Sequence, residues 1–343
     1  MATKRVLNVV VQAGTTAHAN YHRTMGLAAP EDLKDEVIAP GFRPRPDLDM
    51  TYRGGHIISD LVFVNCYLAA DRWDAADRTK IDDALSAAMA DPDLENVIAQ
   101  YFTSPISSAM LASQTLTDPV GDQYFKDNAE AQISQLFQAG VLGQANPAST
   151  IICLLLPPGA VLVDGLSTGA ANGADEVPAD GAPAKGAADA AANAAPNAAP
   201  NAAAGPLEKE EADSKHGLGG YHGSVEVAGT RVYYAIAVYS EGDNGIAVFD
   251  ESWKNVVATL YHELNEARTD ADVEVVNQTG DMSLLGWYSE QGGEIGDIPM
   301  STARDIMLIM KEVPLTDGSG TVPVQLEWSN AVHGPEGPIS TPH

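Results

Sequence analysis

The run His262-Glu263-Leu264-Asn265-Glu266 has the residue types and the spacing to do chemistry. On a helix, positions four apart leave one face a turn apart, so His262 and Glu266 can present an imidazole and a carboxylate to one metal ion. Glu263 lies on a neighbouring flank, where its carboxylate could take a proton from a metal-activated water. The plain alternative is a solvated helix face, because Glu is common in helices. Tyr261 and Leu264 argue against it: a His with two carboxylates in apolar surroundings calls for a partner.

Further candidates are scattered. Gly293-Glu294-Ile295-Gly296-Asp297 reads either as part of the same site or as a turn in which Asp297 caps a local helix. Tyr288 could donate its phenol to a tetrahedral oxyanion, although a Trp287-Tyr288 pair is more often core. His222, after a Gly-Gly-Tyr turn, is either a further ligand or a packed structural histidine, the second being favoured. His18 and His22 stand in a polar stretch and read as surface residues. Other schemes find no support: there is no Gly-x-Ser-x-Gly elbow, P-loop, Gly-x-Gly-x-x-Gly or Cys-x-x-Cys. Cys66 and Cys153 sit in apolar runs, which suits two buried thiols or one disulfide.

The elements that must position these residues are legible in outline. The chain has 343 residues, enough for one large domain or two smaller ones. Val6–Val11, Ile57–Tyr67, Thr150–Pro157 with its exit at Gly159–Val163, and Arg231–Tyr239 read as strands. Asn96–Phe102 is read as another, and Val322–Trp328 as a closing one. Asp74–Met89 reads as an amphipathic helix capped by Asp74, Asp127–Ala139 as a second ending near Gly140, and Ser252–Arg268 as the clearest helix. Pro30, Pro40, Pro44 and Pro46 keep residues 13–55 irregular. Strands alternating with helices predict an α/β layer. Residues 164–215, dominated by Ala, Asn, Pro and Gly, lack the apolar bulk to offset their ordering entropy, so they predict a disordered insertion. It divides an N-terminal part, 1–163, from a C-terminal part, 216–343, expected to pack into one body.

The formal charge of −28 opposes sequence-independent nucleic-acid binding and adhesion to anionic lipid, and reads first as acidic solubility. No stretch reaches the roughly 18 apolar residues of a spanning helix. The apolar run at Val6–Val11 is too short for a secretory leader, which favours the cytoplasm slightly.

Two resemblances sharpen the expectation. The helix is similar to the HExxH helix of thermolysin-type metallopeptidases, with Glu266 in place of the second His and Thr269-Asp270 following. That likeness implies Glu294 as third zinc ligand, Glu263 as catalytic base, and Asp297 as the acceptor holding the other N–H of His262. A site of one imidazole and three carboxylates is unusually negative for zinc, which leaves a harder divalent ion open. Over residues 56–330, less the insertion, the order of motifs resembles the exordium (phosphate-induced protein) family: Gly220-Tyr221-His222-Gly223, HELNE, Trp287-Tyr288, Glu294-Ile-Gly-Asp-Ile298 and Val324-Gln-Leu-Glu-Trp328. Gly219 and Pro299 stand where that family has cysteines, as in a chain without those disulfides. Plant members are secreted, against the reading of the N-terminus. The resemblances together imply a zincin-like mixed sheet with packed helices. Their functional implication is a zinc peptidase acting on a peptide or protein, or a non-catalytic interaction or assembly protein keeping a structural metal.

Overall fold

The computed structural model describes residues 9–11, 39, 41–165 and 212–343. Residues 166–211 of the Ala/Asn/Pro-rich run, His18, His22, and all of the N-terminal strand except Val9–Val11 lie outside them. The ends of the expected insertion are ordered instead: Asp164 closes one strand and Ala212–Asp213 form another. The elements in chain order are β1 (Val9–Val11), β2 (Thr51–Tyr52), β3 (Asp60–Tyr67), α1 (Ala75–Met89), α2 (Pro92–Ala99), β4 (Ser107–Met110), β5 (Gln114–Thr115) and β6 (Gln123–Phe125). Then follow α3 (Lys126–Gln138), β7 (Thr150–Leu155), β8 (Val161–Asp164), β9 (Ala212–Asp213), β10 (Leu218–Val227), β11 (Thr230–Ala237) and α4 (Ser252–Thr269). The chain closes with α5 (Val273–Thr279), β12 (Trp287–Tyr288), α6 (Asp297–Thr302), β13 (Met310–Pro314), β14 (Thr321–Gln325), β15 (Glu327–Ser329) and β16 (Gly334–Glu336).

The main sheet runs β1–β10–β11–β7–β3–β4, with β5 also on β3. The β1/β10 and β10/β11 pairs are antiparallel, and β11/β7, β7/β3 and β3/β4 are parallel. Strands from both sides of the insertion are therefore interleaved in one sheet. Its central strands are mostly apolar because both faces are covered, with Asn65 the buried polar residue of β3. On one face Phe63, Ile151, Cys153 and Ala235 pack with Ile81 and Leu85 of α1 and Leu260 and Leu264 of α4. On the other, Val64, Cys66, Ile152 and Tyr234 pack with Ile133 and Leu136 of α3 and Val276 of α5. This is an α/β fold with helices on both sides of a mixed sheet.

The expected caps form: the Asp74 carboxylate accepts from the Ala76 N–H, and α3 gives way at Gly140 with φ +81°. The expected strand at Asn96–Phe102 is instead the end of α2 and a turn. Asp91 accepts from the N–H groups of Asp93 and Leu94, and Pro92 occupies the first helical position, so the helix is nucleated five residues upstream of the apolar run. Leu94, Val97 and Ile98 are then buried at helical spacing. The closing strand is broken at Leu326, whose N–H turns to Ile309 O; β14 pairs with β13 and β15 with β16.

Cys66 and Cys153 are both free. In the β3/β7 register Cys153 stands opposite Asn65, and Cys66 opposite Leu154. Successive side chains alternate in direction, so the two thiols leave opposite faces of the sheet and no disulfide can join them. Burial pushes the Cys66 thiol up to about 12 and that of Cys153 well above its ordinary value. The native protein should therefore show no reactive thiol toward an aromatic disulfide reagent and two after denaturation. Reductant should leave its melting temperature unchanged.

Candidate metal centre

Helix α4 is buried from Asn255 to Thr269, far more than an amphipathic surface helix. Its start is set by Asn255, whose side-chain oxygen accepts from the N–H groups of Val248 and Phe249. Near its end the Arg268 guanidinium donates to Ser107 O and Ser108 Oγ. With Val256, Val257, Leu260 and Leu264 in the apolar layer, His262, Glu263 and Glu266 project toward β10 and the segment leading into α6. They meet His222, Glu294 and Asp297 there, and all six side chains are at most 2 % exposed.

Each imidazole has one nitrogen held and the other aimed at carboxylates. Nδ1 of His262 lies 3.1 Å from Gln325 Oε1, and the Gln325 amide is pinned by donating from Nε2 to Gly296 O at 2.7 Å. An amide oxygen only accepts, so Nδ1 carries the proton and Nε2 faces Glu266 Oε1 at 3.0 Å. Nε2 of His222 lies 3.4 Å from the Asp270 carbonyl and 3.5 Å from Glu294 Oε1. Its Nδ1 faces Glu263 Oε2 at 3.2 Å and Glu266 Oε2 at 3.5 Å. Room for the His262 ring is made at Gly296, where a Cβ would come within 2.3 Å of Nδ1.

Two groups of potential ligands result, each with its atoms within 4.8 Å of one another: His262, Glu266 and Asp297, and His222, Glu263 and Glu266. Asp297, expected to hold the His262 ring, is grouped with His262 and Glu266, and Glu294, expected as third ligand, is in neither group. The Asp297 N–H donates to Glu266 Oε1 at 3.1 Å, which seats the start of α6 on the cluster and brings the Asp297 carboxylate to His262 and Glu266. Glu294, three residues earlier, falls on the far side of His222, its Oε1 3.5 Å from Nε2. The ring of His262 is oriented by Gln325, not by Asp297. His222, read as structural, stands inside the cluster. Tyr288 is buried within the apolar layer under α3 and α5, and its backbone pairs with Thr51.

Gln325, Asp270 and Glu327 were not singled out. Their signal was faint: acidic or amide residues inside the apolar run Val322–Trp328, and an Asp at the end of the helix. The Asp270 carboxylate accepts from the Gly286 N–H at 2.8 Å.

The electrostatics are those of crowded buried acids. Burial, reinforced by neighbouring carboxylates, raises Glu294 and Asp297 well above the usual range, and burial likewise raises Glu263 and Glu327. Burial also lifts Asp270, to about 7. Burial opposes ionisation of Glu266 too, but the two imidazoles outweigh it and bring that group to about 2. Burial would lower His222, yet its hydrogen bond to Glu263 and the neighbouring charge of Glu266 raise it to about 10. His262 is raised well above its ordinary value in the same way, chiefly by the charge of Glu266. Among the described residues, Glu263 Oε1, Glu266 Oε2, Asp297 Oδ2 and both oxygens of Glu294 accept no hydrogen bond, and the 3.0 Å contact of His262 Nε2 with Glu266 Oε1 lacks hydrogen-bond geometry. Each such orphan costs on the order of 1–3 kcal/mol. Nitrogen and oxygen donors converging without partners fit a divalent cation, which would satisfy them and offset the acids' charge.

Comparison with protein-family models, with curated proteins and with solved structures found no match to this chain.

Gln325→Ala removes the acceptor that holds His262, and should weaken divalent-metal affinity roughly 10- to 100-fold, read by competition with a chromogenic chelator. The metal-free protein should also respond to pH through His222. Because its folded value of about 10 exceeds the unfolded one near 6.5, its stabilising contribution is complete below pH 6.5 and lost as pH rises toward 10. Melting temperatures of chelator-treated protein should fall over that window, and saturating zinc should flatten the dependence.

Proposed function

We propose that this chain is a metal-dependent hydrolase of the peptidase type, with zinc as the resident ion and a peptide bond as the substrate. The observation that carries the metal reading is the pair of imidazoles, each fixed on one nitrogen by a carbonyl-type acceptor and directing the other at buried carboxylates that each keep one oxygen without a partner. His262, Glu266 and Asp297 would hold the ion. When bound, the ion would polarise the scissile carbonyl and acidify a water molecule. Glu263 is the base: His222 Nδ1 steadies its Oε2, and Oε1 is left without a partner to accept a proton. The Asp270 carbonyl holds His222 in place for that task. The motif order supports a place beside the exordium-like proteins.

The burial of the whole cluster favours a second reading, a closed structural metal in a non-catalytic interaction protein, since structural sites are closed and catalytic ones keep a position open. Glu263→Gln separates the two. On the first reading the variant binds as much zinc as the wild type and loses about 10²- to 10⁴-fold in cleavage of a mixed peptide library followed by mass spectrometry. If the wild-type protein cleaves nothing and zinc only raises its melting temperature, the structural reading stands.

A further inference from the structure

The two ligand groups share one residue. Glu266 belongs to both, and its oxygens divide between them: Oε1 lies toward His262 Nε2 at 3.0 Å, and Oε2 toward His222 Nδ1 at 3.5 Å. Apart from Glu266 the groups are separate, each having its own imidazole and its own second carboxylate, Asp297 in one and Glu263 in the other. From this division we infer that the centre holds two divalent cations, with Glu266 as the carboxylate common to both. The inference rests on the metal-dependent reading above and extends it from one ion to two.

Three further observations point the same way. Both imidazoles, not one, have the nitrogen that lies outside their ligand group held by a carbonyl-type acceptor, Gln325 Oε1 for His262 and the Asp270 carbonyl for His222. That second contact is the usual companion of a metal-ligating histidine. Orphaned atoms occur in both groups: His262 Nε2 and Asp297 Oδ2 in one, Glu263 Oε1 in the other, and Glu266 Oε2 between them. Charge points the same way. The buried acids crowded around the two groups are Glu263, Glu266, Asp270, Glu294, Asp297 and Glu327, more potential negative charge than one divalent ion compensates. Carboxylates outnumber imidazoles in each group, which suits zinc or manganese and disfavours a soft ion. Glu263 can serve its group through Oε2, the atom facing His222, and retain Oε1 for the proton.

The test is stoichiometry and magnetism, neither of which depends on turnover. Full-length protein stripped with chelator and dialysed against zinc should hold two equivalents by plasma mass spectrometry. Loaded with manganese(II), it should give an exchange-coupled paramagnetic resonance spectrum in place of the six-line signal of isolated ions. His222→Ala and Asp297→Ala should each retain one equivalent of zinc and, with manganese, return the six-line signal. If either variant fails to fold, the wild-type count and spectrum still decide. One equivalent at saturating zinc would overturn the second ion and leave the metal-dependent reading intact. Two equivalents without coupling would overturn the sharing of Glu266. No bound metal would overturn both this inference and the reading beneath it.

Discussion

Like charges brought together away from water are the constraint around which this protein is arranged. Glu263, Glu266, Asp270, Glu294, Asp297 and Glu327 are all buried beside only two imidazoles. Two unit charges 4 Å apart interact by about 4 kcal/mol at an effective dielectric constant of 20, so several ionised acids at this spacing cannot coexist without compensation. Protons supply it when the chain is alone, which is why Glu294 and Asp297 are raised and the imidazoles hold theirs. A cation supplies it without neutralising the ligands. The fold must hold these groups close against their repulsion.

The sheet order provides the holding. Strand β10 carries His222 and is clamped between β1 and β11, while α4 crosses both β10 and β11 with its own imidazole and acids. Close approach of helix and strand needs Gly220, where a Cβ would meet Ile236 O at 2.3 Å and Glu263 Oε1 at 3.3 Å. Gly296 performs the same service against the His262 ring. Gln325 stands at the last position of β14, immediately before the break at Leu326, so a hairpin remote in sequence sets the orientation of an imidazole on α4.

Much of this was legible in the sequence because it follows from local periodicity. Helix α4, its i, i+4 pair, the Asp74 cap and the central strands depend on residues within a turn or two of one another. Asn96–Phe102 was misread because Val97 and Ile98 suit a strand and a buried helix equally, and the decisive Asp91-Pro92 cap lies upstream. The pairing of the acids was legible only in part. That Glu294 and Asp297 belong to the site could be read from their Gly-flanked acidic segment, but which one reaches His262 depends on a backbone N–H meeting Glu266 across 31 residues of chain. Gln325 and His222 carry no local mark of their role. One looks like a polar interruption in a strand and the other like a core histidine, and the tertiary fold alone brings them to the helix.

Strands β8 and β9 are antiparallel neighbours, with Val163 opposite Asp213 and Asp164 opposite Ala212. Gly165 and Ala212 are thus held side by side. The ladder that holds them belongs to the three-stranded sheet β6–β8–β9, apart from the sheet that carries His222. A flexible segment added between them would cost a closure entropy that grows only with the logarithm of its length, and the register of the strands around the buried acids would not enter that cost.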